Sequence, residues 1–536
     1  MRNFFHVGRI LRRLPESRFP QPCRRHPGDM STWNGSCSRI PPPKSSASRT
    51  ALHSPGDSLE SLSRRRHPMR LMFTRVPAPV HIHPLVPLAR TLRSTGHGVR
   101  VVSNPQPADA ISVTGPTAVP PGEEIDLGAP AATVENHTPS DRIVEGVGMG
   151  PDEEGARVAP GPYRLALFAH HFPHPDSPTP SHEKPMVDEL VEFAREWEPD
   201  LVLWDPVFFA SPIAARAVGA AHGRFLWGRD STGWARQRYR RRMEQSASTG
   251  DGAGSEDAMA KTMLPTLQHF GQNFTEEPLT GQWSANPLPE ALHHPVNPRN
   301  VPMRWVPFNG TTPEPSRLRR RPTRPRVCLS PGVSRREFLE GKGDEVLKLR
   351  AAFADPDAEI VATLNHDQLP PGSEVPDNVR LVDHLPLNQL LPSCSAIIRH
   401  GGDGTMPAAM FNRVPQLVAP RDIGDDDQKC RHPVARDAGP VIPPAEMTAQ
   451  ALRDGVTPLP EEPRYREGAD ALYADMLTAP EPSGAVPLPE KLTAECRSRP
   501  AGNHRTSRPG PSNPAEARLP DTTPDPIRDS TGGHDD

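Results

Sequence analysis

The most informative stretch of the chain is Ser395-Ala-Ile-Ile-Arg-His400-Gly-Gly-Asp-Gly-Thr405-Met-Pro-Ala-Ala-Met410-Phe-Asn-Arg-Val-Pro415-Gln-Leu-Val-Ala419. Its first residues are a short apolar run that predicts a buried strand. Gly401, Gly402 and Gly404 then break the run, a helix-compatible segment follows, and residues 416–419 predict the next strand. Glycines at a helix start let a phosphate approach unpaired backbone N–H groups, and the helix dipole favours negative charge there. The stretch therefore predicts a strand, turn, helix and strand that bind a phosphorylated ligand.

The glycine turn does not match two common phosphate loops. It has neither the G-x-x-x-x-G-K-[ST] pattern nor the spacing of the G-x-G-x-x-G dinucleotide fingerprint. A histidine precedes the turn instead, and the His400 imidazole and the Thr405 hydroxyl could both donate to a diphosphate. These residues indicate a pyrophosphate clamp that needs no lysine. The alternative is a tight turn with His400 packed beneath it.

The residues before this stretch alternate between strands and helices. Strands are predicted at 327–329, 359–364 and 379–382, and a helix is predicted at 345–353. A run rich in proline and arginine at 313–326 precedes them and is expected to be a linker. Alternation of this kind is typical of a parallel sheet with right-handed crossovers.

The first half of the chain shows the same alternation. Strands are predicted at 71–74, 99–103, 199–205 and 225–227, helices at 85–94, 186–197 and 210–218, and a solvated helix face at the basic run 236–242. Because ligands bind at the carboxyl ends of parallel strands, the loop at 75–84 and Asp205 are expected on one edge of the sheet. The two halves together predict two doubly wound parallel sheets with a cleft between them.

Composition and charge exclude several functional classes. The chain of 536 residues has 62 Lys and Arg against 65 Asp and Glu, and this net charge of −3 gives no electrostatic case for binding nucleic acid or an anionic membrane. No apolar run approaches the roughly 18 residues that a membrane-spanning helix needs, so a soluble protein is expected. The six cysteines are scattered without C-x-x-C spacing, which favours a reduced, cytoplasmic setting and predicts neither a zinc site nor a disulfide framework.

The opening stretch resembles the donor-sugar motif of a known enzyme family once its flanks are included. Leu390-Leu-Pro-Ser-Cys394 precedes it, and Val414-Pro-Gln416 lies near its end. With these flanks the stretch is similar to actinomycete antibiotic glycosyltransferases of the GT-B fold, and within them to the group that attaches deoxysugars to macrolide and anthracycline aglycones. The resemblance covers residues 69–497. It implies an α/β protein with two doubly wound, Rossmann-like parallel-sheet domains that face each other across a cleft.

The resemblance implies boundaries for the domains. Residues 69–310 are expected to form the acceptor-binding N-terminal domain, 311–326 the linker, and 327–497 the nucleotide-sugar-binding C-terminal domain. Residues 1–68 are rich in Arg, Ser and Pro. They are expected to be a disordered or over-extended N-terminal segment, because Met69-Arg-Leu-Met-Phe-Thr74 predicts a first strand of the kind with which family members begin. Residues 498–536 are expected to be a disordered tail.

The resemblance also implies a reaction and its partners. The expected activity is inverting transfer of a deoxysugar from a TDP-sugar to a hydroxyl of a polyketide (anthracycline or macrolide) aglycone in antibiotic biosynthesis, with no cofactor beyond the nucleotide-sugar co-substrate. Several relatives need a haem-free, cytochrome-P450-like activator protein, so such a partner is expected here. Two alternatives stay open. One is a macrolide-inactivating transferase that uses UDP-glucose, and the other is a degenerate paralogue that binds nucleotide sugar or aglycone without turnover.

Two residues of the first half match catalytic positions of the family. His81, thirteen residues into the domain counted from Met69, is the expected general base, and Asp205 is expected to orient it and to stabilise its imidazolium. By residue type alone, a lone histidine in a loop would be structural and Asp205 would cap the next helix. His81 and His83 could also form a metal pair, but the sequence offers no third ligand in a suitable context and the fold resembled needs no metal.

The expected donor-binding residues lie in the second half. The resemblance assigns the diphosphate to the glycine turn and to a second backbone turn at 332–334. It assigns the border of the nucleotide base to the backbone around residue 385, and sugar hydroxyls to a carboxylate after Val414-Pro-Gln416. The resulting set is Gly332, Val333, Ser334, Leu385, His400, Gly401, Gly402, Gly404, Thr405 and Asp425.

Several residues depart from the family's pattern. Arg399 replaces the first of two histidines, Asp403 adds a negative charge beside the phosphate turn, and Pro407 removes one helix N–H. The Trp-Asp pair that usually follows Val-Pro-Gln is absent, and Asp425 matches its carboxylate only with a one-residue insertion. If Asp403 pointed inward, it would repel a diphosphate by about 1 kcal/mol or more at an effective dielectric of about 20.

Overall fold

The computed structural model places two parallel sheets in His67–Asp536, which form one compact unit. The structure describes residues 68–125, 186–249, 257–296, 299–313, 315–332, 358–364, 375–420 and 427–498. The helix predicted at 345–353, the expected N-terminal segment up to residue 67 and the expected tail after Ser498 lie outside the described residues.

Seven strands of the described chain form the first sheet, and every pairing in it is parallel. They are β1 (Arg70–Thr74), β2 (Gly98–Val102), β3 (Thr117–Val119), β4 (Leu201–Trp204), β5 (Ala221–Phe225), β6 (Ser284–Asn286) and β7 (Asn300–Pro302). Their order in the sheet is β3-β2-β1-β4-β5-β6-β7. β1 and β4 are neighbours near the middle, where Phe73 lies opposite Leu203.

Helices cover both faces of the first sheet. Those of the first half are α1 (Pro79–Ile82), α2 (Val86–Ser94), α3 (Ala108–Val113), α4 (Met186–Trp197), α5 (Ala210–Ala217), α6 (Ser231–Thr249), α7 (Ala258–His269) and α8 (Glu277–Thr280). Val202 and Trp204 of β4 enter one core cluster with α4 and α5, and Leu201 and Leu203 enter the other with α2. Because successive side chains of a strand point to opposite faces, a strand covered on both sides is a continuous apolar run.

Five described strands form the second sheet, again with parallel pairing throughout. They are β8 (Arg326–Ser330), β9 (Glu359–Ala362), β10 (Val379–Leu381), β11 (Ala396–Arg399) and β12 (Gln416–Val418), in the order β10-β9-β8-β11-β12. Each sheet starts near its centre, winds to one side and then returns to the other. The reversal falls between β1 and β4 in the first sheet and between β8 and β11 in the second. Ligands of open α/β sheets bind beyond the strand ends at this point, so the confirmed doubly wound topology marks one expected site in each sheet.

The helices after β10 divide between the two sheets. They are α9 (Leu387–Leu390), α10 (Thr405–Phe411), α11 (Asp427–Ala435), α12 (Ala449–Val456), α13 (Pro463–Leu477), α14 (Pro482–Ala485) and α15 (Pro487–Ser498). The last two return to the first sheet, where Ala485 and Leu492 join its core. Across the described residues, no helix combines the length and the apolar surface that a membrane span requires.

An apolar cluster joins the two halves of the chain. Leu288, Leu292 and Trp305 from the first half pack with Met406 and Met410 of α10. The helix that follows the glycine turn is therefore packed against both halves. This packing fixes the position of the turn relative to the first sheet.

The loop predicted at 75–84 is wrong over its second part. The chain is helical from Pro79, where a proline at the first helical position starts α1, and a 3₁₀ turn at His83–Leu85 leads into α2. His81 therefore lies on a short helix and not in a loop. The other strands and helices predicted from the sequence, where they fall in the described chain, are confirmed to within two residues, except at β5.

The strand predicted at 225–227 is also wrong, since β5 lies at Ala221–Phe225. β5 contains the polar residues His222 and Arg224, so it is not an apolar run. Both side chains are nevertheless fully buried. The basic run at 236–242 does lie in a helix, α6, but Arg236 is not solvated. Burial opposes the charge of Arg236, yet its bonds to Glu276 and Asp257 outweigh burial and raise its pKa.

Candidate active site

His81 and Asp205 form a buried pair at the reversal point of the first sheet. His81 lies in α1, which follows β1, and Asp205 comes directly after β4. The His81 Nδ1 and Asp205 Oδ2 atoms are 2.7 Å apart, and the two side chains are 3% and 0% exposed. A bond through Nδ1 leaves Nε2 as the ring atom that can accept a proton. The structure thus brings together the two residues that the sequence predicts on one edge.

Donors hold both carboxylate oxygens of Asp205. Arg75 Nη1 lies 3.4 Å from Oδ2, while the backbone N–H of Val207 and the indole N–H of Trp227 donate to Oδ1 at 3.2 and 3.3 Å. Burial opposes the ionisation of Asp205, but His81, Arg75 and the Val207 N–H outweigh burial and hold the pKa of Asp205 below its ordinary value. Asp205 is therefore a carboxylate at neutral pH.

Arg75 is the buried cation of this cluster. It also donates to the carbonyl of Phe225 at 2.9 Å, and its guanidinium lies 4.5 Å from the centre of that ring. Burial lowers the pKa of Arg75 to about 10, and the charge of Asp205 partly offsets this effect. Arg75 stays charged at neutral pH. Sequence reasoning missed it, although its place directly after β1 was an available signal.

This arrangement can move a proton. An ionised carboxylate favours the tautomer in which Nδ1 of His81 carries the hydrogen, and it stabilises the imidazolium that forms when Nε2 accepts a proton. The ring of Trp227 packs on that of His81, with 4.5 Å between centroids. His81 is thus held in one orientation, as a general base requires.

The glycine turn lies at the equivalent point of the second sheet. His400 follows β11, and Gly332 lies just after β8. A Cβ added at Gly332 would overlap the His400 ring, and one added at Gly402 would lie 2.6 Å from His400 Nε2. The half-buried His400 ring therefore lies between the two turns, and glycine leaves room for it on each side. Val333 and Ser334 lie outside the described residues.

Gly401, Gly404 and Thr405 complete the turn. Gly401 has a φ of 107°, in the left-handed region that favours glycine. Gly404 is the residue before α10, which starts at the buried Thr405. Pro407 lies in the first turn of α10, where a backbone N–H has no acceptor within the helix. Pro407 therefore takes one donor from the turn but does not break the helix.

Asp403 is paired with a lysine that sequence reasoning missed. Its Oδ1 lies 2.9 Å from Nζ of Lys429, the third residue of α11, and the two side chains are 18% and 7% exposed. Lys429 offsets the negative charge that Asp403 brings to the turn. The only sequence signal was a lysine at the end of an acidic run, in a stretch that departs from the family's pattern.

Three further residues that the sequence singles out on the donor side are Leu385, Arg399 and Asp425. The side chain of Leu385 is buried in a core cluster with Leu387, so only the backbone at 385 remains a candidate border for a nucleotide base. Arg399 is buried in β11 and donates from Nε to Gln416 Oε1 at 2.6 Å. Asp425 lies outside the described residues.

His83 contacts the region that leads to the second sheet. Its ring meets that of Phe308 edge-on, with 5.4 Å between centroids, and it lies near His384 and Gly310. Burial and, second, the charge of His384 lower the pKa of His83 to about 4, so it is neutral at pH 7. Among the residues that the structure describes, no group of three His, Cys, Asp or Glu side chains could hold a metal ion.

Comparisons with known proteins agree on one family. Models of the erythromycin biosynthesis protein CIII-like family match the chain twice, with the N-terminal domain at residues 90–332 and the C-terminal domain at residues 347–492. Aclacinomycin-T 2-deoxy-L-fucose transferase of Streptomyces galilaeus is 39% identical over 438 residues, which cover 80% of this chain and 97% of that protein. 10-Deoxymethynolide desosaminyltransferase of Streptomyces venezuelae is also 39% identical over 438 residues, which cover 81% and 99%.

A solved structure supports the same assignment. The glycosyltransferase VinC, crystallised in complex with dTDP, matches with a TM-score of 0.65 at 33% identity and covers 80% of this chain and 100% of its own. The two doubly wound parallel sheets are the GT-B arrangement that the resemblance of the opening stretch implies. The chain therefore belongs to the erythromycin biosynthesis protein CIII-like family, and it is a nucleotide-sugar-dependent glycosyltransferase of the GT-B fold.

Proposed function

We propose that the chain transfers a deoxysugar from a TDP-sugar to a hydroxyl of a polyketide aglycone, with inversion at the anomeric carbon, in antibiotic biosynthesis. The observation that carries the proposal is the pairing of two sites. The His81–Asp205 base lies at the reversal of one sheet, and His400 lies between two glycine turns at the reversal of the other. The relatives' names support a deoxysugar as the transferred group, since one is an aclacinomycin-T 2-deoxy-L-fucose transferase and another is a 10-deoxymethynolide desosaminyltransferase.

In the proposed reaction, His81 Nε2 removes the proton of the acceptor hydroxyl while that oxygen attacks the anomeric carbon. The bond from that carbon to the phosphate oxygen breaks, and TDP leaves with the bonding electrons. Asp205 stabilises the imidazolium that results. A single displacement of this kind inverts the anomeric centre, as it does in inverting glycosidases.

The departing diphosphate is proposed to bind at the glycine turn. His400, Thr405 and the backbone N–H groups there would donate to phosphate oxygens as negative charge develops on them. The ion pair of Asp403 with Lys429 supports this placement, because the turn then presents no uncompensated carboxylate. The same pair favours an active enzyme over a degenerate paralogue.

Calorimetric titration with TDP and UDP tests the donor site. We expect TDP to bind roughly tenfold more tightly than UDP, and we expect His400→Ala to weaken TDP binding about tenfold because a donor to the diphosphate is lost. His269→Ala is the matched control, since that ring is 69% exposed on α7. It should bind TDP like the wild type.

The alternatives predict other outcomes of the same titration. Tighter binding of UDP would favour the macrolide-inactivating transferase that uses UDP-glucose. No binding of either nucleotide would favour a degenerate paralogue that keeps at most its aglycone site. A chain that binds TDP but transfers no sugar to any aglycone, even with an activator supplied, would be a degenerate paralogue that binds nucleotide sugar without turnover.

The haem-free, P450-like activator and a cytoplasmic location belong to this proposal as consequences of family resemblance. Purification of the tagged chain from its own organism would test both. A protein of the activator class in the purified complex, recovered from the cytoplasmic fraction, is the expected result.

A further inference from the structure

Residues 227–229 follow β5 and are fixed to the first sheet at both ends. At one end, the backbone N–H of Leu226 donates to the carbonyl of Ala285 in β6 at 2.9 Å. At the other end, Asp230 is held through both carboxylate oxygens by Arg224 of β5, and the two side chains are 1% and 0% exposed. A buried, bidentate ion pair of this kind restrains the backbone that carries it.

Trp227 contacts both His81, the proposed general base, and Asp205. Its indole packs on the His81 ring with 4.5 Å between centroids, and its N–H donates to Asp205 Oδ1 at 3.3 Å. The other oxygen, Oδ2, is the one bonded to His81. Trp227 therefore restrains the ring and also the rotation of the carboxylate that orients the ring.

Gly228 lies against the glycine turn of the second sheet. A Cβ added at Gly228 would be 2.5 Å from both Cγ and Oδ1 of Asp403. This carboxylate is the one that pairs with Lys429. Any side chain at 228 would have to displace Asp403. Glycine at this position therefore allows the loop after β5 to contact the glycine turn of the second sheet.

Arg229 reaches α11, the helix that carries Lys429. Its guanidinium donates to Gln428 Oε1 and, at 2.8 Å, to the carbonyl of Leu292. Gln428 in turn donates to the carbonyl of Ala291 at 2.8 Å. These bonds join α11 to the first half of the chain beside the Asp403–Lys429 pair.

We propose that residues 227–229 are a coupling segment that positions the His81 base and the donor turn relative to each other, with Trp227 as a positioning residue for His81. The inference rests on the proposed function. A diphosphate at the turn changes the surroundings of Asp403, which lies directly against Gly228. Because both ends of the segment are fixed, the change passes to the indole of Trp227 and so to His81 and Asp205.

Tryptophan emission tests the coupling in the full chain, with TDP as the probe. Saturating TDP should change the emission of the wild type, and most of this change should be lost in Trp227→Phe, whose calorimetric affinity for TDP stays within about twofold of the wild type. Trp197→Phe is the matched control, since Trp197 stacks on Phe193 at 6.0 Å in α4. It should keep the full response. A Trp227→Phe variant that keeps the wild-type response overturns the coupling.

Gly228→Ala tests the contact with the donor turn. The added Cβ should displace Asp403 and weaken TDP binding about tenfold. Gly484→Ala is the control, because Gly484 is exposed in α14 and a Cβ there would make an ordinary contact with Pro480 at 3.6 Å. Thermal unfolding checks that both variants fold. A folded Gly228→Ala chain with wild-type affinity overturns the contact, and if this variant does not fold, the Trp227→Phe comparison decides.

The free protein separates this inference from the proposed function. If calorimetry shows no TDP binding to the wild type, the proposed donor site is wrong, and so is the coupling to it. The positioning of His81 by Trp227 is then tested in the free protein, without nucleotide. His81→Gln should change the emission of the wild type and leave that of Trp227→Phe unaltered. Equal changes in both backgrounds overturn Trp227 as a positioning residue. With donor and aglycone in hand, Trp227→Phe should lower kcat more than it raises the KM for the donor.

Discussion

Asp205 is a partner shared by two residues, since His81 and Arg75 both contact its Oδ2. The charge of Arg75 helps to keep Asp205 ionised, and the ionised carboxylate holds the hydrogen on Nδ1 of His81. Arg75 is therefore expected to affect the reaction through Asp205. At the scale of single residues, the proposed base is a cluster in which the side chains of His81, Arg75 and Trp227 all contact Asp205.

Substitution of the base gives the first prediction. We expect His81→Gln and Asp205→Asn each to lower the transfer rate by about 10² to 10⁴-fold with TDP binding unchanged, because the proton acceptor or its orientation is lost. The double variant should be little slower than His81→Gln, since the two act as a unit. Asp188→Asn is the control, because it breaks a surface pair with His269 at 3.5 Å. The rate is measured as TDP released with a matched donor and aglycone, and full turnover by His81→Gln would remove His81 as the base.

The charges at the turn give the second prediction. Lys429→Gln should weaken TDP binding about tenfold and Asp403→Asn should strengthen it, because each variant changes the charge near the diphosphate by one. Lys491→Gln is the control, since that side chain is 67% exposed on α15. Calorimetry at two salt concentrations measures both effects, which should shrink as salt rises.

The double variant of Asp403 and Lys429 separates two roles of the lysine. If Lys429 only neutralises Asp403, the double variant should bind TDP like the wild type. If Lys429 also contacts the phosphates, the double variant should remain weak. Unchanged affinity in both single variants would contradict a diphosphate at this turn.

The positions of candidate site residues can be predicted from sequence where the sheet topology decides them. His81 and Asp205 come soon after two apolar strands, and parallel strands bring their carboxyl ends to one edge. The role of Lys429 cannot be predicted in this way. Its partner, Asp403, lies 26 residues earlier in the chain, and no local sequence pattern indicates that the two side chains meet. Trp227 was missed for the same reason, since its contacts depend on where β5 ends.

The elements show the same division. β4 is four apolar residues, all buried, and its place follows from that pattern alone. β5 carries His222 and Arg224, whose burial depends on partners far along the chain, such as Ser284 at 3.1 Å from Arg224 Nε. Periodicity reports local burial, whereas a buried polar residue is explained by tertiary contacts.

The return of α15 to the first sheet gives an element-scale prediction. Leu492 is 4% exposed in the core that α2 and β4 also form, so Leu492→Ala should lower the free energy of unfolding by about 2–5 kcal/mol. Leu477→Ala is the control, since Leu477 is 42% exposed in α13 and should change stability by less than about 0.5 kcal/mol. Urea denaturation followed by circular dichroism measures both. Similar effects of the two variants would contradict the docking of α15.

Several groups of contacts join the two halves of the chain. An apolar cluster, the returning α14 and α15, and the contacts of residues 227–229 all connect the two halves. His83 from the first half and His384 from the second also lie beside Gly310. Changes in the charge of such groups therefore act on the stability of the whole unit.

Buried groups of this unit make stability fall as the pH falls. Burial lowers the pKa of His222, and it lowers that of His83 from 6.5 to about 4, so the unfolded chain binds protons that these folded rings do not. For Asp205 and Asp257, burial is outweighed by their partners and the pKa is lowered, so the folded chain stays ionised where the unfolded one is protonated. Both effects have the same sign. The histidines lower the stability of the folded chain as the pH falls below 6.5, and the carboxylates lower it further below about 3.8.

Stability between pH 8 and pH 4 gives the last prediction. We expect Tm to fall continuously below about pH 6.5, and to fall less steeply in His83→Gln, because each group protonated only when unfolded contributes up to about 1.4 kcal/mol per pH unit. The slope of Tm against pH for His384→Gln should lie between those of the wild type and His83→Gln. The reason is that the charge of His384 is the second cause, after burial, of the lowered pKa of His83. Differential scanning calorimetry checks this order. Equal slopes in the wild type and His83→Gln would mean that His83 takes up its proton in the folded chain, which its burial beside His384 opposes.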